Sequence, residues 1–189
     1  MKLESFTNLF LTEQEKTRQE KQKEWNKLEH QIEEYGGFDE KIKLLVIALW
    51  ANKFPTYESC EGHFDPNQCQ YNCPTIHIGY YPDRIDDLQL YSDYDHVVSE
   101  KEREERLPQI IKENEILKIH IEFLLDEFNK KRKSEQKYKL NIKETHYNTF
   151  ALSTESIVNK ADPYIALQDQ QKLMSEFGIF LKEKYFDSK

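Results

Sequence analysis

Phe54-Pro55-Thr56-Tyr57-Glu58-Ser59-Cys60-Glu61-Gly62-His63 is the stretch on which the fold turns. Proline lacks an amide hydrogen and drives the residue before it into extended backbone, so a helix arriving from upstream must stop before Pro55. Thr56 to Ser59 then reads as a short strand that leads into the turn Cys60-Glu61-Gly62-His63. Upstream, Asp39 can cap a helix whose Ile42, Leu45, Val46 and Leu49 share one face, and Val46-Ile47-Ala48 is apolar all round, which marks that helix as central. Downstream, Phe64 to Cys73 is polar, holds Pro66 and Asn67, and reads as a loop. Thr75-Ile76-His77-Ile78-Gly79-Tyr80 alternates as a strand with Ile76 and Ile78 on one side.

Further from this centre the pattern is mostly helical. Thr12 with Glu15 fits a capping box, and a charged helix runs from there to Tyr35, where Gly36-Gly37 stops it. Its apolar positions, Trp25, Leu28, Ile32 and Tyr35, lie in the second half only. The half from Glu13 to Glu24 has no apolar face and is expected to project or to pack on a partner. Residues 1–36 are therefore expected to be an N-terminal helical extension through which a homo-oligomer forms, and 37–189 a single α+β domain.

Tyr81 to His96 is acidic and irregular. Val97 to about Arg132 carries a long helical pattern through Leu107, Ile110, Ile111, Leu117, Ile121, Leu124 and Phe128, in which Pro108 marks a kink or the true start. Tyr138, Leu140 and Ile142 alternate with polar residues, and with Tyr147 to Ser153 they form a hairpin about Glu144-Thr145-His146. Pro163 suits the first turn of a last helix with Ala166, Leu173, Met174, Phe177, Phe180, Leu181 and Tyr185 on its apolar face. The fold class expected is α+β, a small, mostly antiparallel sheet of about four strands packed with about four helices.

Composition excludes several classes. No run approaches the length of apolar sequence that spans a bilayer, and the N-terminal residues lack the apolar segment of a secretory signal, so a cytoplasmic protein with no membrane partner is expected. The three cysteines, Cys60, Cys69 and Cys73, are odd in number and clustered, which suits reduced thiols rather than a disulfide framework. A net charge of −8 repels a phosphate backbone, so no nucleic-acid partner is expected. Lys130-Lys131-Arg132-Lys133, the one dense basic run, falls at the end of a helix, where cations complement the macrodipole.

The turn at Cys60 is where chemistry concentrates. A thiol and an imidazole three residues apart, with a glycine between, can meet on one tight loop, and an imidazolium beside a thiol favours the thiolate that acts as nucleophile. Catalytic roles are expected for Cys60, His63 and Glu61, with Ser59 and Gly62 as cofactor-binding or supporting groups; the cofactor itself is unknown. Zinc is the rival chemistry, since Cys60, His63, Cys69 and Cys73 are four suitable ligands, with His77 a further one. Cys69 and Cys73 are spaced by three rather than the commoner two, and the loop offers no other ligand, so no metal is expected. His30, His96, His120 and His146 have no partner spacing. The aspartates Asp83, Asp86, Asp87, Asp93 and Asp95 lack the glycine and glutamate of an EF-hand and read as a solvated acidic loop.

Helix, Phe54-Pro55-Thr56, Ser59-Cys60-Glu61-Gly62-His63-Phe64-Asp65, then Pro74 and a strand from Thr75 to Gly79 resembles a family of bacterial proteins with a Ser-Cys-Glu-Gly-His signature and no assigned activity. Leu124 to Phe128, Gln171 to Phe177 and Phe180 to Lys182 resemble its later helices, so the likeness covers most of Phe38 to Lys184. More distantly, residues 39–63 are similar to the helix, strand and Ser-Cys-Ser-Gly-Arg turn of the wybutosine-synthesising tRNA methyltransferases, a likeness that implies S-adenosylmethionine and tRNA. Glu61 and His63 replace that family's small and basic residues. In both likenesses Cys60 falls on the shared turn, whereas Cys69 and Cys73 match no motif. The function expected is a small-molecule or nucleotide-handling enzyme using the Cys60/His63 turn; the alternative is a noncatalytic binding protein with a structural, zinc-bound loop.

Overall fold

The computed structural model describes residues 16–36, 39–65, 67, 70–80, 99–132, 138–154 and 162–187. Helix α1, Arg18–Tyr35, opens on a capping box. The Thr17 hydroxyl accepts the Glu20 amide at 3.3 Å and the Glu20 carboxylate accepts the Thr17 amide at 2.8 Å, so two otherwise orphaned donors are satisfied. The box expected at Thr12 and Glu15 lies outside the described residues.

Helix α2, Glu40–Ala51, is the centre of the core, with every residue from Leu45 to Ala51 buried. It stops before Pro55, as the sequence demands. Lys53 takes the left-handed conformation with φ 63°, and the Phe54 amide reaches back to the Leu49 carbonyl at 2.8 Å, which satisfies a terminal carbonyl and turns the chain into strand β1.

Strand β1, Thr56–Cys60, pairs antiparallel with β4, Thr75–Ile78, which pairs with β6, Phe150–Thr154, and β6 with β5, Leu140–Glu144. The strand order is β1-β4-β6-β5. Ile76 and Ile78 share a face with Phe150 and Leu152 and are fully buried, whereas Thr75 and His77 take the other face. Residues read from the sequence as a loop contain a further pair, β2 at His63–Asp65 and β3 at Gln70–Asn72. His63 pairs with Asn72 as Cys60 pairs with Thr75, so the two short strands continue the β1–β4 register. Each strand is only three residues long, with one aromatic between two polar residues, Phe64 opposite Tyr71, a pattern too short to stand out in a segment that also holds Pro66 and Asn67.

Helix α3, Glu100–Lys131, starts from a second capping box, Ser99 with Glu102, and holds Pro108 inside it, so the proline is not the start. The fully buried Asn114 stitches α3 to the chain on both sides. It accepts the Tyr80 amide at 2.7 Å and donates to the carbonyls of Tyr80 and Tyr147 at 3.0 and 2.9 Å. Lys130 and Lys131 lie in the last turn, as expected of a basic helix end.

Helix α4, Pro163–Asp187, packs along α2 so tightly that a Cβ on Gly178 would lie 2.9 Å from the Leu45 Cα. Helix α1 does not project. Trp25 and Ile32, each 1% exposed, belong to the same core cluster as α2 and α4. The polar first half is anchored as well, because the Glu24 carboxylate accepts from Lys16, Lys53 and the Tyr185 hydroxyl at 2.7–2.8 Å. The chain is an α+β fold with a four-stranded antiparallel sheet and four helices among the described residues. No helix among them is long and apolar enough to cross a membrane.

Candidate functional site

Three elements deliver the side chains that meet at the Cys60 turn. Asp39 stands at the N-cap of α2, Cys60 ends β1 and His63 begins β2. One carboxylate oxygen of Asp39, the Cys60 sulfur and one imidazole nitrogen of His63 all lie within 4.8 Å of one another. Asp39 and Cys60 are half-buried and His63 is exposed, so the group opens to solvent on its imidazole side.

Gly62 makes this meeting possible. Its φ of +83° lies where side chains are rarely tolerated, and an added Cβ would fall 2.6 Å from the Asn72 carbonyl oxygen, 2.8 Å from Leu167 Cδ1 and 2.9 Å from Pro74 Cδ. The glycine lets the backbone bend between Cys60 and His63, without leaving the direction of the strand, while pressed against α4 and the opposite strand. Its amide donates to the Cys60 sulfur at 3.4 Å, an interaction that strengthens as the sulfur gains negative charge. Gly62 is thus a backbone support to the thiol, and it is buried.

Glu61 has its groups committed to holding the turn. Its amide donates to Asp39 Oδ2 at 2.8 Å, and its own carboxylate accepts the Lys41 amide at 3.3 Å, at the open N-terminus of α2. Asp39 is the N-cap residue of α2 yet makes no side-chain cap bond of its own. The two acids have exchanged duties, so that each accepts a backbone amide from the other's segment and Asp39 is locked beside Cys60. From the far side, buried Gln171 of α4 donates to the Glu61 carbonyl at 3.0 Å. Adjacent strand residues point to opposite faces, so Ser59, opposite Ile76, is turned from the face that Cys60 shares with Thr75.

Of the four residues considered for zinc, Cys60 and His63 come together. Cys73 is not in their group, and Cys69 lies outside the described residues. His77 is engaged elsewhere on the sheet, with its Nδ1 3.2 Å from the Tyr57 hydroxyl. His30 pairs with Glu34 at 3.2 Å on an exposed surface, and His120 is packed edge-on to Phe54, where burial pushes its pKa down. His96 and the acidic stretch from Asp83 to Asp95 lie outside the described residues.

The sequence signals Asp39 only as a helix cap and Gln171 only as a polar residue on an amphipathic helix. Neither carries a spacing that ties it to Cys60, because what joins them is the packing of α2 and α4 around the turn. Set against known proteins, the chain matches no family model, no curated protein and no solved structure.

Proposed function

We propose that this chain is an enzyme acting on a small molecule, with Cys60 as its nucleophile and His63 as its acid and base. The observation that carries this reading is the convergence of Cys60, His63 and Asp39 at a solvent-open turn whose backbone is held by Asp39, Gln171 and the fit of Gly62. His63 takes the thiol proton as the sulfur bonds to an electrophilic carbon, and returns it to the group that leaves that carbon. Asp39 is placed to steady the resulting imidazolium. Glu61 works as a positioning residue, since both its carboxylate and its backbone are spent on the turn.

Thiol alkylation tests this directly. In chelator-treated protein, with each cysteine followed by peptide mass spectrometry, Cys60 should react with iodoacetamide at pH 7 about tenfold faster than a free thiol, of which only a few per cent is thiolate. His63→Ala should bring the rate back to that of a free thiol. Equal rates in the two proteins would remove Cys60 as an activated nucleophile.

A further inference from the structure

We propose that Asp39, Cys60 and His63 form a binding site for a divalent transition metal of the zinc class, and that the metal controls access to the Cys60 sulfur. This rests on the same three side chains as the functional reading above and adds a regulator to it.

The donor set is the first argument. Carboxylate oxygen, thiolate sulfur and imidazole nitrogen are the three ligand types that zinc takes, and the thiolate and imidazole select it over magnesium or calcium, which prefer oxygen alone. Zinc holds such donors at about 2.0–2.3 Å, which places them roughly 3.5 Å apart around the ion. The three atoms already lie within 4.8 Å, and His63, the most exposed, is the one free to close the remaining gap.

Charge is the second. With Cys60 ionised, a carboxylate and a thiolate face each other at short range, and a cation beside both, the His63 imidazolium in the metal-free protein or a metal ion in its place, relieves the repulsion. One divalent ion with Asp39, the Cys60 thiolate and neutral His63 is balanced. Binding is an exchange in which the thiol proton is released as the sulfur–metal bond forms. The Lys41 ammonium, close by in sequence, stands 4.0 Å from the Glu61 carboxylate.

The surrounding contacts are the third. Metal ligands are ordinarily held by outer hydrogen bonds, and here Asp39 Oδ2 takes the Glu61 amide at 2.8 Å while the Cys60 sulfur takes the Gly62 amide at 3.4 Å. Three protein donors leave the fourth position open to water or to a ligand, as in exchangeable rather than closed structural sites. Spacing alone does not reveal the set, because Asp39 belongs to another element, and a search along the sequence turns instead to Cys69 and Cys73.

The test uses the full chain, stripped with chelator and titrated with zinc sulfate. Calorimetry should give one zinc per chain, and stoichiometric zinc should slow iodoacetamide labelling of Cys60 about tenfold or more, with EDTA restoring the rate. Asp39→Asn keeps a side-chain oxygen to accept the Glu61 amide and should weaken zinc about tenfold or more, while Cys60→Ser should abolish the thiolate-to-metal absorption of the cobalt-substituted protein. Zinc binding that is unchanged in both variants would overturn the site. If zinc leaves a fast-reacting Cys60 unprotected, the metal inference falls and the nucleophile stands. If zinc binds and protects, yet the stripped thiol reacts no faster than a free one, the nucleophile falls and the metal site stands.

Discussion

Replacing Trp25 by alanine tests whether α1 belongs to the body of the protein. The indole is 1% exposed, and its Nε1 donates to Glu29 at 2.6 Å. Its ring centroid lies 6.2 Å from that of Tyr185 and 5.8 Å from that of Phe186, both on α4, and the Lys182 ammonium stands 4.4 Å above it. Truncating a large aromatic side chain in such a setting costs about 3–5 kcal/mol, through lost transfer free energy and the cavity left behind. Against a total stability of about 5–15 kcal/mol this is a large fraction. With a urea slope of about 2 kcal/mol per molar, the unfolding midpoint followed by circular dichroism should fall by roughly 2 M at unchanged slope. Trp25→Phe keeps a ring against Tyr185 and Phe186 and should recover much of the loss. An unchanged midpoint in Trp25→Ala, together with a drop in mass by light scattering, would refute the intramolecular packing and return α1 to a partner-binding role.

Two further outcomes follow from other parts of the structure. Burial works against ionisation of Glu24, but hydrogen bonds from Lys16 and Lys53 outweigh it, and the carboxyl is held at about 2 rather than at an ordinary value. A depressed carboxyl pKa adds stability that is complete above the unfolded value and is lost as pH falls through the folded one. The unfolding free energy read from urea midpoints should therefore decline between about pH 4.5 and pH 2 by about 1–2 kcal/mol, solvent screening of the half-buried carboxylate keeping it below the full linkage value, and Glu24→Gln should flatten that decline; an identical acid limb in the variant would show that Glu24 does not carry it. Gly62→Ala must place a methyl 2.6 Å from a strand carbonyl at positive φ, so it should lose about 2 kcal/mol or more and reduce the reactivity of Cys60. Wild-type stability and labelling in Gly62→Ala would contradict the geometry assigned to the turn.

Local chemistry was enough to determine much of this protein from its sequence. The apolar circumference of α2, the stop at Pro55, the alternation of Ile76 and Ile78, and the hairpin of β5 and β6 are set by side-chain periodicity and by the limits of proline, which act within a few residues. Cys60, Gly62 and His63 stand out for the same reason, since a turn of four residues is itself local. Three decisions belonged to the tertiary structure. Trp25 and Ile32 are buried because α2 and α4 happen to cover them, and an amphipathic half-helix reads the same whether its cover comes from its own chain or another. The pairing of β2 with β3 follows from the extension of the β1–β4 register through two three-residue strands, whose single alternation of polar and aromatic residues is too short to announce them. Asp39 joins Cys60 because a helix N-terminus and a strand end are packed together, with Glu61 and Gln171 as the fastenings, and contact between residues so far apart in the chain leaves no periodic trace along it.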